Sequence, residues 1–175
     1  VVEIKDDDGN LLIVNNETLE EMMDTYYPLE DHTEPNNVQP KGNPNEFYRC
    51  YTKKVERYVK EFEIKHIGKV IFRSCELDNK NNNRVAFMRN GMTVFTEVPY
   101  GFGSLGFCGV LECKSIKGTE ILRLMEPPEH NAFDPERLAE RSGEFTAQDG
   151  LKMINDIKGE IRKCLKEILD RYRKP

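Results

Sequence analysis

The dipeptide Asn90-Gly91 constrains this chain more than any other feature. Both residues tolerate the positive φ of a two-residue hairpin turn, and apolar runs flank them at 84–89 and 92–98. An antiparallel strand pair is thus expected near the middle of the chain. Similar runs at 62–66, 68–77 and 106–114 predict further strands, with a turn over residues 78–83. The run at 120–125 reads as the last strand of an antiparallel meander. Pro127-Pro128 then ends the series, because proline cannot donate to a ladder. Asp6 to Asn10, between apolar residues 1–5 and 11–14, signals a second hairpin.

Two segments carry a helical period. Leu19, Met22, Met23, Tyr26 and Tyr27 share one face, with Thr18 and Glu21 spaced as a capping box, Asn15 or Asn16 as alternative caps, and Pro28 as the stop. Leu151, Ile154, Ile157, Ile161, Leu165, Ile168 and Tyr172 predict a closing helix of about six turns. Residues 28–46 hold four prolines and read as an exposed loop or arm. Residues 46–60 suit a helix or a strand, and 126–149 read as irregular. The expected fold class is α+β, a mostly antiparallel sheet packed against two helices, the C-terminal one long.

At 175 residues the chain is sized for one domain, and its start at Val1 rather than methionine suggests a piece excised from a larger protein. With 31 acidic against 26 basic residues, a net charge of −5 argues against bulk nucleic-acid binding. From Lys152 to Lys174, however, eight basic residues face four acidic ones, which leaves a local nucleic-acid or partner-binding face open beside an ordinary solvated one. No apolar run is long enough for a membrane span, and no signal peptide opens the chain. Five cysteines without a CxxC fit a reducing interior, so a cytoplasmic location is expected. Only Cys108 and Cys113 are close in sequence, and their odd separation puts them on opposite faces of a strand. No metal site is expected.

Several patterns touch on chemistry. Gly101 to Gly106 is formally GxGxxG, but a strand rather than a helix follows it, so it reads as a strand connection. Glu112-Cys113-Lys114 at a strand end has the ExK spacing of metal-dependent nucleases, with Glu97 or Asp78 as the upstream acid. In that reading Glu97, Glu112 and Lys114 are catalytic. The stretch Glu126 to Glu136 holds three prolines and sets His130 among carboxylates. Glu129, His130 and Asp134 there offer metal ligands, or a carboxylate orients His130 as a base; the structural alternative is a rigid docking loop. Neither a GxSxG elbow nor a motif around any cysteine supports nucleophilic catalysis.

The order of segments from about 68 to 172 carries a resemblance. The strand–turn–strand of Arg84 to Phe95 is followed by a glycine-rich connection, by Gly106-Phe107-Cys108-Gly109-Val110-Leu111-Glu112-Cys113, by a loop with Glu129-His130-Asn131 and Phe133-Asp134, and by a long amphipathic helix. This resembles the transducer domain of GHKL-type ATPases, especially the MORC-like branch and its bacterial relatives. The resemblance implies a non-catalytic module that couples the ATP state of a separate head domain to dimer or client rearrangement. It implies ATP and magnesium for the longer protein but none bound by this segment, which lacks the head's Asp-x-Gly-x-Gly signature. The implied partners are the head domain, a second copy and a nucleic-acid client. His130, Asn131, Asp134, Arg89 and Lys114 become the candidate nucleotide-facing residues. The family's switch lysine directly follows His-Asn, where this chain has Ala132, leaving Lys114 or Lys117 as substitutes. A stand-alone interaction module that uses the arm at 28–46 is the remaining alternative.

Overall fold

The computed structural model of the chain describes residues 2–5, 11–15, 18–27, 43–52, 57–77, 83–102 and 106–172. Strand β1 (Val2–Lys5) pairs antiparallel with β2 (Leu11–Val14), Val2 opposite Val14. Helix α1 (Thr18–Tyr26) starts where Asn15 and Thr18 bond reciprocally, each side chain accepting from the other's backbone N–H at 2.9 and 3.0 Å. The cap is therefore Asn15 with Thr18, not Thr18 with Glu21. Most of the predicted arm lies outside the described residues. Its last residues are helical, because Asn43 accepts a bond from the Asn45 N–H and Pro44 takes the first position of α2 (Pro44–Arg49). Buried Asn45 ties α2 to α1 through Asp24 and the Tyr27 carbonyl.

A five-stranded sheet forms the centre, in the order β3 (Arg57–Ile64), β4 (Gly68–Glu76), β7 (Phe107–Cys113), β5 (Asn83–Arg89), β6 (Met92–Glu97). Asn90 and Gly91 turn at φ 51° and 78° between β5 and β6, as that pair of residues dictates. The sheet is not a meander. Strand β7 inserts between β4, antiparallel, and β5, parallel. All but one of its seven residues are buried, and a strand apolar on both faces belongs at the middle of a sheet.

Residues 120–125, expected as a strand, belong to helix α3 (Ile116–Met125). Ser115 caps it, its hydroxyl accepting from the Gly118 N–H at 3.1 Å, and Ile121, Leu122 and Met125 turn inward together. A short apolar run does not by itself separate the two periods. The stretch read as irregular contains α4 (Pro135–Ser142), which begins on Asp134 and ends at Gly143 with φ 62°. Helix α5 (Ala147–Tyr172) follows a Thr146–Asp149 capping box. The α+β class, the mostly antiparallel sheet and the long C-terminal helix are as expected; the described helices number five rather than two.

Each face of the sheet has its own core. On one face Val70, Phe72, Val85, Phe87, Phe107 and Leu111 pack with residues of α3, α4 and α5, among them Ile121, Leu138 and Ile157. On the other, α2 brings Phe47 and Cys50 against Cys75, Leu77, Ala86, Cys108 and Val110. Cys113 falls in the first core and Cys108 in the second, the opposite faces that their spacing predicts.

Candidate functional site

The loop from Glu126 to Asp134 joins α3 to α4, and local bonds make it compact. The His130 N–H donates to the Pro127 carbonyl at 3.0 Å, and the Asp134 N–H donates to the Met125 carbonyl at 2.8 Å, closing the loop on its own base. Phe133 anchors it. Its ring meets Phe87 and Phe95 edge-on, at 6.1 and 5.1 Å, where those two rings stack.

Glu126 is the electrostatic centre of this loop. Its side chain is 3% exposed, accepts from Arg89 Nε at 2.8 Å, and bonds His130 Nδ1 through its other oxygen. Burial opposes ionisation of this carboxyl, but the bonds from Arg89 and His130 outweigh it and hold the group below the usual carboxylate range. An ionised carboxylate only accepts, so Nδ1 is the donor, in a side chain that is half exposed. His130 holds φ 47°, a left-handed conformation that costs energy outside glycine. The Glu126 contact and the closed loop backbone maintain it.

Beside the loop lies a cleft of about 230 Å³ between β6 and α5, lined by Phe87, Phe95, Glu97, Asn131, Phe133 and Lys158. Lys158 Nζ and Glu97 Oε2 pair at 2.7 Å on its wall. Asn131, next to His130 in the loop, brings an amide side chain able to donate and accept hydrogen bonds to this cleft.

The sequence candidates divide among three places. His130, Asn131 and Arg89 come together at the loop, but Arg89 is occupied by Glu126 and is 12% exposed, so its guanidinium positions the loop rather than facing a phosphate. Asp134 accepts from the Glu136 N–H at 3.0 Å as the cap of α4, a structural role. Lys114 pairs with Glu112 at 2.6 Å, and Glu112 also takes Arg73 at 3.1 Å. Burial and the neighbouring Glu112 raise the Tyr51 phenol beside them to about 12, and Arg73 stacks over its ring. Lys117 is exposed and lies 3.9 Å from Glu144.

The nuclease constellation does not assemble. Glu97 is the cross-strand partner of Val85, whose side chain is in the helix-side core, whereas Glu112 is the partner of Met88 on the α2 side. Cross-strand partners share a face, so the two carboxylates point to opposite faces of the sheet. Asp78, the other upstream acid, lies outside the described residues.

Sequence reasoning did not single out Glu126, although its i, i+4 spacing to His130 was visible. Nor did it find the convergence of Cys50, Cys75 and Cys108, all buried, with sulfurs 3.2 to 3.9 Å apart. Hydrogen bonds from Cys108 and then Cys50 hold the Cys75 thiol down to about 4, against its burial. The bond with Cys50 pushes Cys108 well above the usual thiol range, with Cys75 and burial adding.

Searches against protein-family models, curated proteins and solved structures find no match to this chain. Among the described residues no helix is long and apolar enough to cross a membrane.

Proposed function

We propose that this chain is a non-catalytic transducer module of a larger, cytoplasmic GHKL-type ATPase. It would pass the ATP state of a head domain to a dimer partner or a client. ATP and magnesium belong to that head. The observation that carries the reading is the clamped loop. Glu126 ties its start to Arg89 at the end of β5, Phe133 ties its end to β5 and β6, and His130 stays half exposed between them.

Such a loop is suited to coupling. A neighbour that hydrogen-bonds His130 or Asn131 pulls on a segment whose last residue, Asp134, caps α4, and α4 packs on α5 through Leu138 against Gly150. Displacement of the loop is therefore mechanically linked to the longest helix. Coupling requires two arrangements of this unit that the neighbour binds unequally.

The test uses the longer gene product. Its upstream region should bind ATP, and ATP should tighten dimerisation. His130→Ala with Asn131→Ala should weaken that ATP dependence by about 5- to 150-fold, the span of a 1–3 kcal/mol coupling. The gain in the head's ATP affinity on dimerisation should fall by the same factor, because coupling is reciprocal. A gene product that binds no ATP, or variants that leave the coupling intact, refutes the proposal.

A further inference from the structure

On the face of the sheet away from the long helix, three cysteines from three separate elements meet. Cys50 follows the last turn of α2, while Cys75 of β4 and Cys108 of β7 are direct cross-strand partners. Their exposures are 0, 4 and 1%. The sulfurs form a triangle with sides of 3.2 Å (Cys75–Cys108), 3.4 Å (Cys50–Cys108) and 3.9 Å (Cys50–Cys75). Carbon atoms rest at about 3.5–4.0 Å, and sulfur is larger, so two of these sides lie inside ordinary contact distance. The three thiols, which hydrogen-bond to one another, thus converge from separate elements on one point, close enough for a single ion to reach all three.

We infer that Cys50, Cys75 and Cys108 form a binding site for one thiophilic d10 metal ion, Zn(II) or Cu(I), which fastens α2 to the sheet. The donor set fits that chemistry: soft thiolate ligands select these ions over magnesium, calcium or manganese. Bonds of about 2.3 Å to each sulfur put the sulfurs about 3.8–4.0 Å apart, reachable from the observed triangle by an outward shift of roughly half an ångström. Three thiolates complete a trigonal Cu(I) site. A four-coordinate zinc needs one more donor, and the candidate is the Glu46 carbonyl oxygen, which accepts from the Cys108 thiol at 2.7 Å. Binding releases to solvent the protons of whichever thiols are not already ionised, so uptake acidifies an unbuffered solution.

The location also gives the ion a mechanical role. Helix α2 has six residues, too few to be stable alone, and its core on the sheet is small: Phe47, Cys50 and five sheet or strand-end residues. A metal bond from Cys50 to β4 and β7 would hold it there. Cys113 and Cys164 sit in the other core and serve as internal controls. This site is independent of the transducer reading.

The experiment is titration of the full 175-residue chain, reduced and oxygen-free, with Zn(II) and separately with Cu(I), each against a chromophoric competitor. The expected result is one equivalent of one of these ions bound in the micromolar range or tighter. X-ray absorption of that complex should count three sulfur neighbours at about 2.3 Å. Cys50→Ala, Cys75→Ala and Cys108→Ala should each weaken binding at least 100-fold, while Cys113→Ala and Cys164→Ala leave it unchanged. The absorption count needs no variant, so it decides the matter even where a substitution unfolds the chain. Absence of uptake of both ions, fewer than three sulfur neighbours, or binding retained in the three variants would overturn the inference. So would a reduced protein that takes up no metal and on oxidation simply closes a disulfide within the trio.

Discussion

Replacing Glu126 tests the loop directly, because the group is buried and serves two partners. Its side chain is 3% exposed and that of Arg89 12%. Glu126→Gln keeps the shape but removes the charge, which leaves a largely desolvated guanidinium without its counter-ion. Breaking a buried pair from one side costs about 3–5 kcal/mol, against a total domain stability of about 5–15 kcal/mol. Arg89→Met strands the carboxylate instead and should cost a similar amount. The double variant removes both charges, so its loss should fall short of the sum by about 1–3 kcal/mol. His130→Ala should cost only about 0.5–1.5 kcal/mol, because half of that ring already faces water, which can replace its bond. The chain has no tryptophan, so urea unfolding is best followed by far-ultraviolet circular dichroism. Additivity of the two charge substitutions within about 0.5 kcal/mol would refute the buried-pair account. A His130→Ala loss equal to that of Glu126→Gln would refute the assignment of Arg89 as the principal partner.

Two further expectations follow from the same geometry and packing. Glu126 has its carboxyl pKa held below the ordinary 4.5, so its ionised form stabilises the fold above that value, and this contribution disappears as the pH falls through the lowered pKa. The stability gap between wild type and Glu126→Gln should therefore narrow in acid-titrated urea melts. A gap that widens below pH 4.5 would contradict the direction. For glycine, a Cβ on Gly118 would stand 1.9 Å from the Ile67 carbonyl oxygen, whereas one on Gly159 would meet open space. Gly118→Ala should lower stability by about 3 kcal/mol as the helix is forced off the turn, and Gly159→Ala should raise it by about 0.5–1 kcal/mol. A Gly118→Ala protein that melts no lower than wild type would show that α3 does not rest against the Ile67 turn, and a Gly159→Ala protein that melts lower would show that α5 is not open at that position.

What could be read along the chain was whatever short-range physics decides. Asn90-Gly91 specified its hairpin because few other pairs accept positive φ twice. The stripe from Leu151 to Tyr172 specified α5 because only a helix turns those residues to one side. The odd spacing of Cys108 and Cys113 specified opposite faces, since alternation along a strand is geometric. Helix α3 escaped because Ile121, Leu122 and Met125 suit either period, and its Ser115 cap weighs little until the Ile67 turn and Gly118 are known to touch. Helix α4 escaped because a single inward residue, Leu138, gives no stripe to read.

Long-range placement belonged to the tertiary structure alone. Where β7 inserts determines that Glu97 and Glu112 stand on opposite faces, that Arg89 reaches Glu126, and that Cys50, Cys75 and Cys108 meet. Residues 25 and 33 positions apart have no local preference to express. Their encounter is set by strand order and register, which come from burying a doubly apolar strand at the sheet's centre. That is a property of the whole core rather than of any segment in it.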